Sequence, residues 1–110
     1  MVVAKSATTT NKYERMKKMK ELRQTIDMMT SDDYKERFKA EYYQTKIRYE
    51  RLKKFNNKIE AAERMKRYEN KSLSAPPHDC PDNLSREQQI TMREYLHLLE
   101  VRAEIENIEL

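Results

Sequence analysis

Between residues 32 and 70, apolar and aromatic side chains recur in alternating steps of four and three, with mainly polar residues between them. The members of this seam are Phe38, Tyr42, Thr45, Tyr49, Leu52, Asn56, Ile59 and Glu63. A repeat of about 3.5 residues is typical of a helix that packs along its length against another helix. Because the range contains neither glycine nor proline, the pattern predicts one long helix over about 32–70.

A second apolar pattern follows Ser85, which has capping-box spacing with Gln88. Its members are Ile90, Met92, Tyr95, Leu96, Leu98, Leu99, Val101, Ala103, Ile105 and Ile108. We predict a helix over about 85–109. These residues cover more of the helix circumference than one seam requires, so we expect this helix to contact other subunits as well as its own neighbour.

The segment 71–84 holds all three prolines of the chain and is predicted to be the loop that reverses the chain. Residues 1–10 are small and polar without periodicity, which predicts a disordered arm. From Asn11, apolar residues three or four apart predict an N-terminal helix over 11–30. We expect it to end at residues 30–33, whose side chains favour helix N-caps.

Together these patterns predict an all-α fold. Residues 31–110 form a long antiparallel helical hairpin, with helices at about 32–70 and 85–109, and an additional helix precedes it. A hairpin of two helices buries little apolar surface by itself, so we expect the protein to be a homo-oligomer.

Composition narrows the chemistry that this fold can perform. The chain has no glycine, which excludes the glycine-rich loops that hold phosphates in Walker-type and Rossmann sites. His78, Asp79, Cys80 and Asp82 lie close together in the sequence, but they lack the second cluster of a zinc site and the third residue of a catalytic triad. We therefore expect no catalytic residue, no metal and no cofactor, and we interpret the protein as a non-enzyme. The carboxylates of Glu104, Glu106 and Glu109 are expected to be solvated.

The formal net charge of +4 conceals an asymmetry along the chain. Residues 1–71 hold 20 Lys and Arg against 11 Asp and Glu, whereas residues 72–110 hold 3 against 8. The basic excess in the first segment favours an anionic partner. A single cysteine, the lack of an apolar leader and the lack of a membrane-spanning stretch predict a cytoplasmic protein with no membrane partner.

One face of the long helix combines basic and aromatic side chains. Its candidate ligand-binding residues are Lys39, Tyr42, Tyr43, Lys46 and Arg48. Aromatic rings beside ammonium and guanidinium groups can stack a base and hold a phosphate without a glycine loop. A basic helix face with an occasional tyrosine is also typical of an ordinary solvated surface, so the pattern by itself leaves both interpretations open.

The segments YKERFKAEYYQTKIRYERLKKF (34–55) and QQITMREYLHLLEVR (88–102) resemble the helical hairpin of phage anti-CBASS and Thoeris-inhibiting sponges. The resemblance covers about residues 31–110. It implies a phage or prophage protein that forms a compact oligomer, often a hexamer, and sequesters cyclic nucleotide second messengers between subunits without catalysis. Gln44 and Arg102, which lie in these segments, complete the predicted ligand-binding set. In a phage-encoded protein the site of action would be the host cytoplasm.

Two other functions are compatible with the same sequence. The methionine-rich first helix and the amphipathic hairpin suit a protein–protein inhibitor or scaffold that acts on a host defence complex. The basic residues between Lys5 and Lys39 suit a helical nucleic-acid-binding protein, although acidic residues are interleaved with them.

Overall fold

A computed structural model describes residues 20–69 and 72–110 of the chain. In chain order they form a 3-10 turn (Leu22–Thr25) and the helices α1 (Ile26–Met29), α2 (Tyr34–Tyr68) and α3 (Asp82–Glu106). No strand occurs in this part of the chain. The predicted all-α hairpin with an additional N-terminal helix is confirmed, although that helix is short, while the oligomeric state stays a prediction.

The N-terminal helical segment differs from the predicted helix over 11–30. Lys20 and Glu21 are not helical, because Glu21 caps the 3-10 turn and its amide donates to Gln24 Oε1 at 3.0 Å. The helical segment thus begins at Leu22 and ends at Met29. The predicted arm over 1–10 and residues 11–19 of the predicted helix lie outside the described residues.

Helix α2 begins where the sequence offers its strongest capping residues. Asp33 Oδ1 accepts a 3.0 Å hydrogen bond from the Lys35 amide, and the Asp33 carbonyl accepts from the Arg37 amide at 3.1 Å. These are the bonds of an aspartate N-cap, which satisfies amides that have no partner within the helix. The seven seam residues from Phe38 to Ile59 are all buried or half-buried, as the helical period predicts.

Helix α3 begins at Asp82, one turn before the predicted start at Ser85. The Pro81 carbonyl accepts from the amides of Leu84 and Ser85, and Ser85 Oγ donates back to the Asp82 carbonyl at 3.1 Å. Ser85 is therefore inside the first turn and does not cap it. The predicted start is one turn too late, because the hydrogen bonds of the helix begin at the Pro81 carbonyl.

The C-terminus of α3 is closed by Asn107, which has a φ of 58°. The Ile108 amide donates to the Ala103 carbonyl at 2.8 Å, and both side chains are buried. This is the Schellman arrangement, in which a left-handed residue lets the chain fold back onto its last turn. Asparagine tolerates this conformation better than most residues, so it fills the position that glycine usually takes.

The described residues divide into two compact units. In the unit formed by 20–47 and 96–110, α2 and α3 bury an apolar core. Its members are Phe38, Ala40, Tyr42, Tyr43, Ile47, Leu96, Leu99, Ala103, Ile108 and Leu110. Thr25 and Gln44 join α2 to the N-terminal segment through a 3.0 Å hydrogen bond.

In the unit formed by 48–69 and 72–95, buried polar bonds join α2 to α3. Buried Asn56 donates to the Ser85 carbonyl at 3.1 Å and to Gln89 Oε1 at 2.9 Å. The loop is held by His78, whose Nδ1–H donates to the Cys80 carbonyl at 2.6 Å while its ring packs edge-on to Phe55. Among the described residues, no helix has an apolar stretch long enough to cross a bilayer.

Candidate ligand-binding site

The candidate site lies where the start of α2 meets the end of α3. Tyr34 is the first residue of α2, and Arg102 and Glu106 occupy the last two turns of α3. Both helix ends are fixed, one by the Asp33 cap and the other by the turn at Asn107. Side chains at this position therefore project from rigid backbone.

A closed set of hydrogen bonds joins the three side chains. The Tyr34 hydroxyl donates to Glu106 Oε1 at 2.8 Å and accepts from Arg102 Nη2 at 2.6 Å. Arg102 Nε donates to Glu106 Oε2 at 3.0 Å, an i,i+4 contact along α3. We refer to Tyr34, Arg102 and Glu106 as the terminal triad. Each member is held by the other two.

Aromatic contacts with buried Phe38 orient Tyr34 and Arg102 of the terminal triad. The Arg102 guanidinium lies over the Phe38 ring, 5.0 Å from its centroid, and the Tyr34 ring is 6.2 Å from the same ring. Lys35 adds a second cation, and its Nζ donates to the Asn107 carbonyl at 3.4 Å. Buried Phe38 thus fixes a guanidinium and a phenol whose outer surfaces remain accessible.

The pKa values follow from these contacts. Hydrogen bonding to Glu106 raises the pKa of the Tyr34 phenol and also raises the pKa of Arg102. The bond from Tyr34, assisted by the bond from Arg102, holds the pKa of the Glu106 carboxyl below its usual range. At neutral pH the site therefore consists of a neutral phenol, a guanidinium cation and a carboxylate.

Such a site can hold an aromatic anion. The Tyr34 side chain is 47% exposed and the Arg102 side chain is 51% exposed. A base can stack on the exposed phenol ring, and a phosphate can bind the outer edge of a guanidinium that is already oriented. Among residues 20–69 and 72–110, no group of three or more His, Cys, Asp and Glu is placed to hold a metal ion.

The structure places two of the predicted ligand-binding residues in the core. Tyr42 and Tyr43 are 1% and 0% exposed, and their rings meet edge to face at 5.2 Å. The Tyr42 hydroxyl donates to Glu100 Oε2 at 2.6 Å. Burial, together with this bond, raises the pKa of Tyr42 well above its ordinary value of 10.0. In this subunit neither ring offers a surface on which a base can stack.

The other predicted residues do not converge on one point. Lys39 pairs with Glu36 at 3.0 Å, and Gln44 bonds to Thr25 and to Met29 Sδ. Lys46 is half-buried, and exposed Arg48 belongs to the other unit. Arg102 alone lies in the terminal triad. A binding role for the other six stays a prediction.

Sequence reasoning missed Tyr34, Lys35 and Glu106. It expected Glu106 to be solvated, whereas Glu106 bonds to both Tyr34 and Arg102. The signal was available: Arg102 and Glu106 are four residues apart, and Tyr34 directly follows the Asp33 cap. An antiparallel hairpin brings the start of one helix to the end of the other, so these three residues could have been grouped.

A family model described as Sequestin matches residues 32–105 of the chain. The chain belongs to the Sequestin family. The match contains most of the hairpin, including Tyr34 and Arg102, and stops one residue before Glu106. The Sequestin name indicates sequestering, which fits the resemblance to cyclic-nucleotide sponges. No curated protein and no solved structure matches the chain.

Proposed function

We propose that this Sequestin-family chain is a non-enzymatic, phage-encoded immune-evasion protein that sequesters cyclic nucleotide second messengers at interfaces between subunits. The observation that carries the proposal is the terminal triad, in which Arg102 is fixed on Phe38 beside the exposed ring of Tyr34. Membership of the Sequestin family supports a sequestering role. The protein would act in the host cytoplasm.

The triad supplies one stacking ring and one oriented cation, with Lys35 adjacent. A cyclic dinucleotide carries two bases and two phosphates, twice what one triad can contact. Two copies of the triad facing each other would provide a ring and a guanidinium for each half of the ligand. Because the triad residues stand on helix ends that are already ordered, binding would require little further ordering of the protein.

An exposed apolar face on α3 supports the association of subunits. Leu98, Val101 and Ile105 are 59%, 42% and 77% exposed and recur at helical spacing. Arg102 borders this face, four residues after Leu98 and about 40° around the helix from it. A second copy that covers this face would therefore also close over the guanidinium and exclude water from it, which strengthens a bond to phosphate.

Isothermal titration against cyclic di-AMP, cyclic di-GMP, cyclic GMP–AMP and cyclic tri-AMP tests the proposal. We expect a dissociation constant in the micromolar range or tighter for at least one ligand, and recovery of that ligand unmodified by chromatography. Arg102→Ala and Tyr34→Ala should each weaken binding at least tenfold. Arg93→Ala is the matched control, because Arg93 is also exposed on α3 but lies away from the triad.

Absence of heat with all four ligands at 20 µM protein would contradict a sponge. Equal weakening by Arg93→Ala would remove the triad as the site. Conversion of the ligand to a linear nucleotide would contradict the non-enzymatic role.

A further inference from the structure

A row of four cations runs along α2 within the unit that contains residues 48–95 and outside the terminal triad. Arg48, Arg51, Lys54 and Lys58 are all exposed and follow one another at steps of three, three and four residues. At 3.6 residues per turn they share an arc of about 120°, and at 1.5 Å per residue they extend over about 15 Å. We call these four residues the cationic row.

Three other basic residues of the two long helices are neutralised within their own helix, unlike the cationic row. Lys39, Arg64 and Arg102 each pair with a glutamate three or four residues away. None of the row's four residues forms an ion pair with any described residue. Glu50 is the one acidic residue between residues 48 and 58, and it does not come within ion-pair distance of them.

Like charges three or four residues apart on a helix repel one another, and three such pairs follow in succession here. An external polyanion would convert this repulsion into attraction. The arrangement therefore has the electrostatics of a binding surface that lacks its partner.

We propose that the cationic row binds the phosphate backbone of a nucleic acid. The row extends over about 15 Å, and its four cations can neutralise at most four backbone phosphates, which occur once per 3.4 Å of axis on each strand of a duplex. Protein partners are usually held by buried aromatic or aliphatic anchors. No large apolar side chain between residues 48 and 58 is exposed, so this surface offers no such anchor, whereas phosphate binding requires none.

Fluorescence anisotropy with a labelled 20-nucleotide DNA of mixed sequence, as a single strand and as a duplex, tests this surface. Neutralising four phosphates predicts a slope of log affinity against log salt of about −2.8 for the single strand and about −3.6 for the duplex. Between 50 and 200 mM KCl, affinity should therefore fall about 50-fold and about 150-fold respectively. The two affinities at one salt concentration show which form the row prefers.

The decisive variant is the triple substitution Arg51→Gln, Lys54→Gln and Lys58→Gln, which should reduce either slope to about −1. The matched control on the same helix is Arg64→Gln, Lys66→Gln and Arg67→Gln, which removes the same charge from exposed positions outside the row. We expect the control to keep a slope close to that of the unmodified protein. Circular dichroism should show undiminished helix content in both variants.

Three results would overturn the proposal: no binding of either DNA at 50 mM KCl, equal weakening by the two triple variants, or equal displacement of DNA by polyglutamate of the same charge. The last result would indicate an acidic protein as the partner. The row variant should leave cyclic-nucleotide titrations unchanged. Failure of DNA binding would therefore not affect the proposed sponge, and failure of the sponge would not affect the row.

Discussion

Asn56 of α2 donates its side-chain amide to the backbone carbonyl of Ser85 in α3, at 3.1 Å. Asn56 is 5% exposed and Ser85 is 4% exposed, and a second bond runs from Asn56 to Gln89 at 2.9 Å. A slip of α3 along α2 would leave a buried amide without acceptors, which costs more than one lost hydrogen bond. The contact therefore fixes the register of the two helices in this unit.

Replacing Asn56 by alanine should lower the free energy of unfolding by about 1–3 kcal/mol, since two buried hydrogen bonds are lost together. Asn57→Ala is the matched control, because Asn57 is exposed and its replacement should stay within about 0.5 kcal/mol. Urea unfolding followed by circular dichroism measures both. Equal destabilisation by the two variants would contradict the assigned role of Asn56.

Tyr42→Phe should reduce the loss of stability that occurs at alkaline pH. Burial and the bond to Glu100 raise the pKa of Tyr42 above 10.0, so the folded state favours the protonated phenol. The resulting stabilisation is complete below pH 10 and is lost as the pH rises above 10 toward the folded-state pKa. Unfolding in urea at pH 8 and pH 11 should show a smaller loss for Tyr42→Phe than for the unmodified protein.

Tyr68→Phe is the control for this measurement, because Tyr68 is 67% exposed. It should lose as much stability between pH 8 and pH 11 as the unmodified protein. At pH 8, Tyr42→Phe should cost about 1 kcal/mol through the missing hydrogen bond. If Tyr42→Phe loses as much stability between pH 8 and pH 11 as the unmodified protein, ionisation of the Tyr42 phenol does not cause that loss.

The hairpin could be predicted from the sequence because it depends on patterns within each helix. The seam from Phe38 to Ile59 has a regular period, and the three prolines fall between the helices. The site depends on which residues meet across 68 to 72 positions of chain. Tyr42 illustrates the difficulty: a tyrosine near lysines suits both a stacking platform and a core residue. Its burial and its bond to Glu100 of the partner helix decide between them.

The left-handed residue at the end of α3 predicts an ordered series of stabilities. Asn107→Ala should lower the free energy of unfolding by about 1 kcal/mol, because a Cβ without a polar side chain disfavours positive φ. Asn107→Gly should be neutral or stabilising, since glycine is the usual residue of this turn. Thermal unfolding of both variants measures the order. A more stable alanine than glycine variant would contradict the left-handed conformation.

Glu106→Gln should reduce the acid sensitivity of the fold. The bonds from Tyr34 and Arg102 hold the pKa of Glu106 below 4.5, so its contribution is complete above pH 4.5 and is lost as the pH falls below that value. The melting temperature of the unmodified protein should fall more steeply between pH 6 and pH 3 than that of the variant. Glu104→Gln, at an exposed position on the same helix, should keep the original acid dependence.

The apolar face of α3 predicts that association, and not folding, will respond to charge at Leu98 and Ile105. The double variant Leu98→Lys and Ile105→Lys places two like charges on a face that a second subunit would have to desolvate. Its mass by light scattering at 100 µM should be that of one chain, 13.4 kDa, while the unmodified protein gives a multiple of this mass.

The matched control for that face is Ile26→Lys with Leu73→Lys, which adds the same charge at apolar positions that are each 50% exposed and lie outside α3. It should keep the multimeric mass. Helix content by circular dichroism should be equal in both double variants, because none of the four side chains belongs to the buried core. A mass of 13.4 kDa for the unmodified protein at 100 µM would contradict association through this face. The second copy of the terminal triad would then have to come from a second chain that joins only when the ligand bridges the two chains.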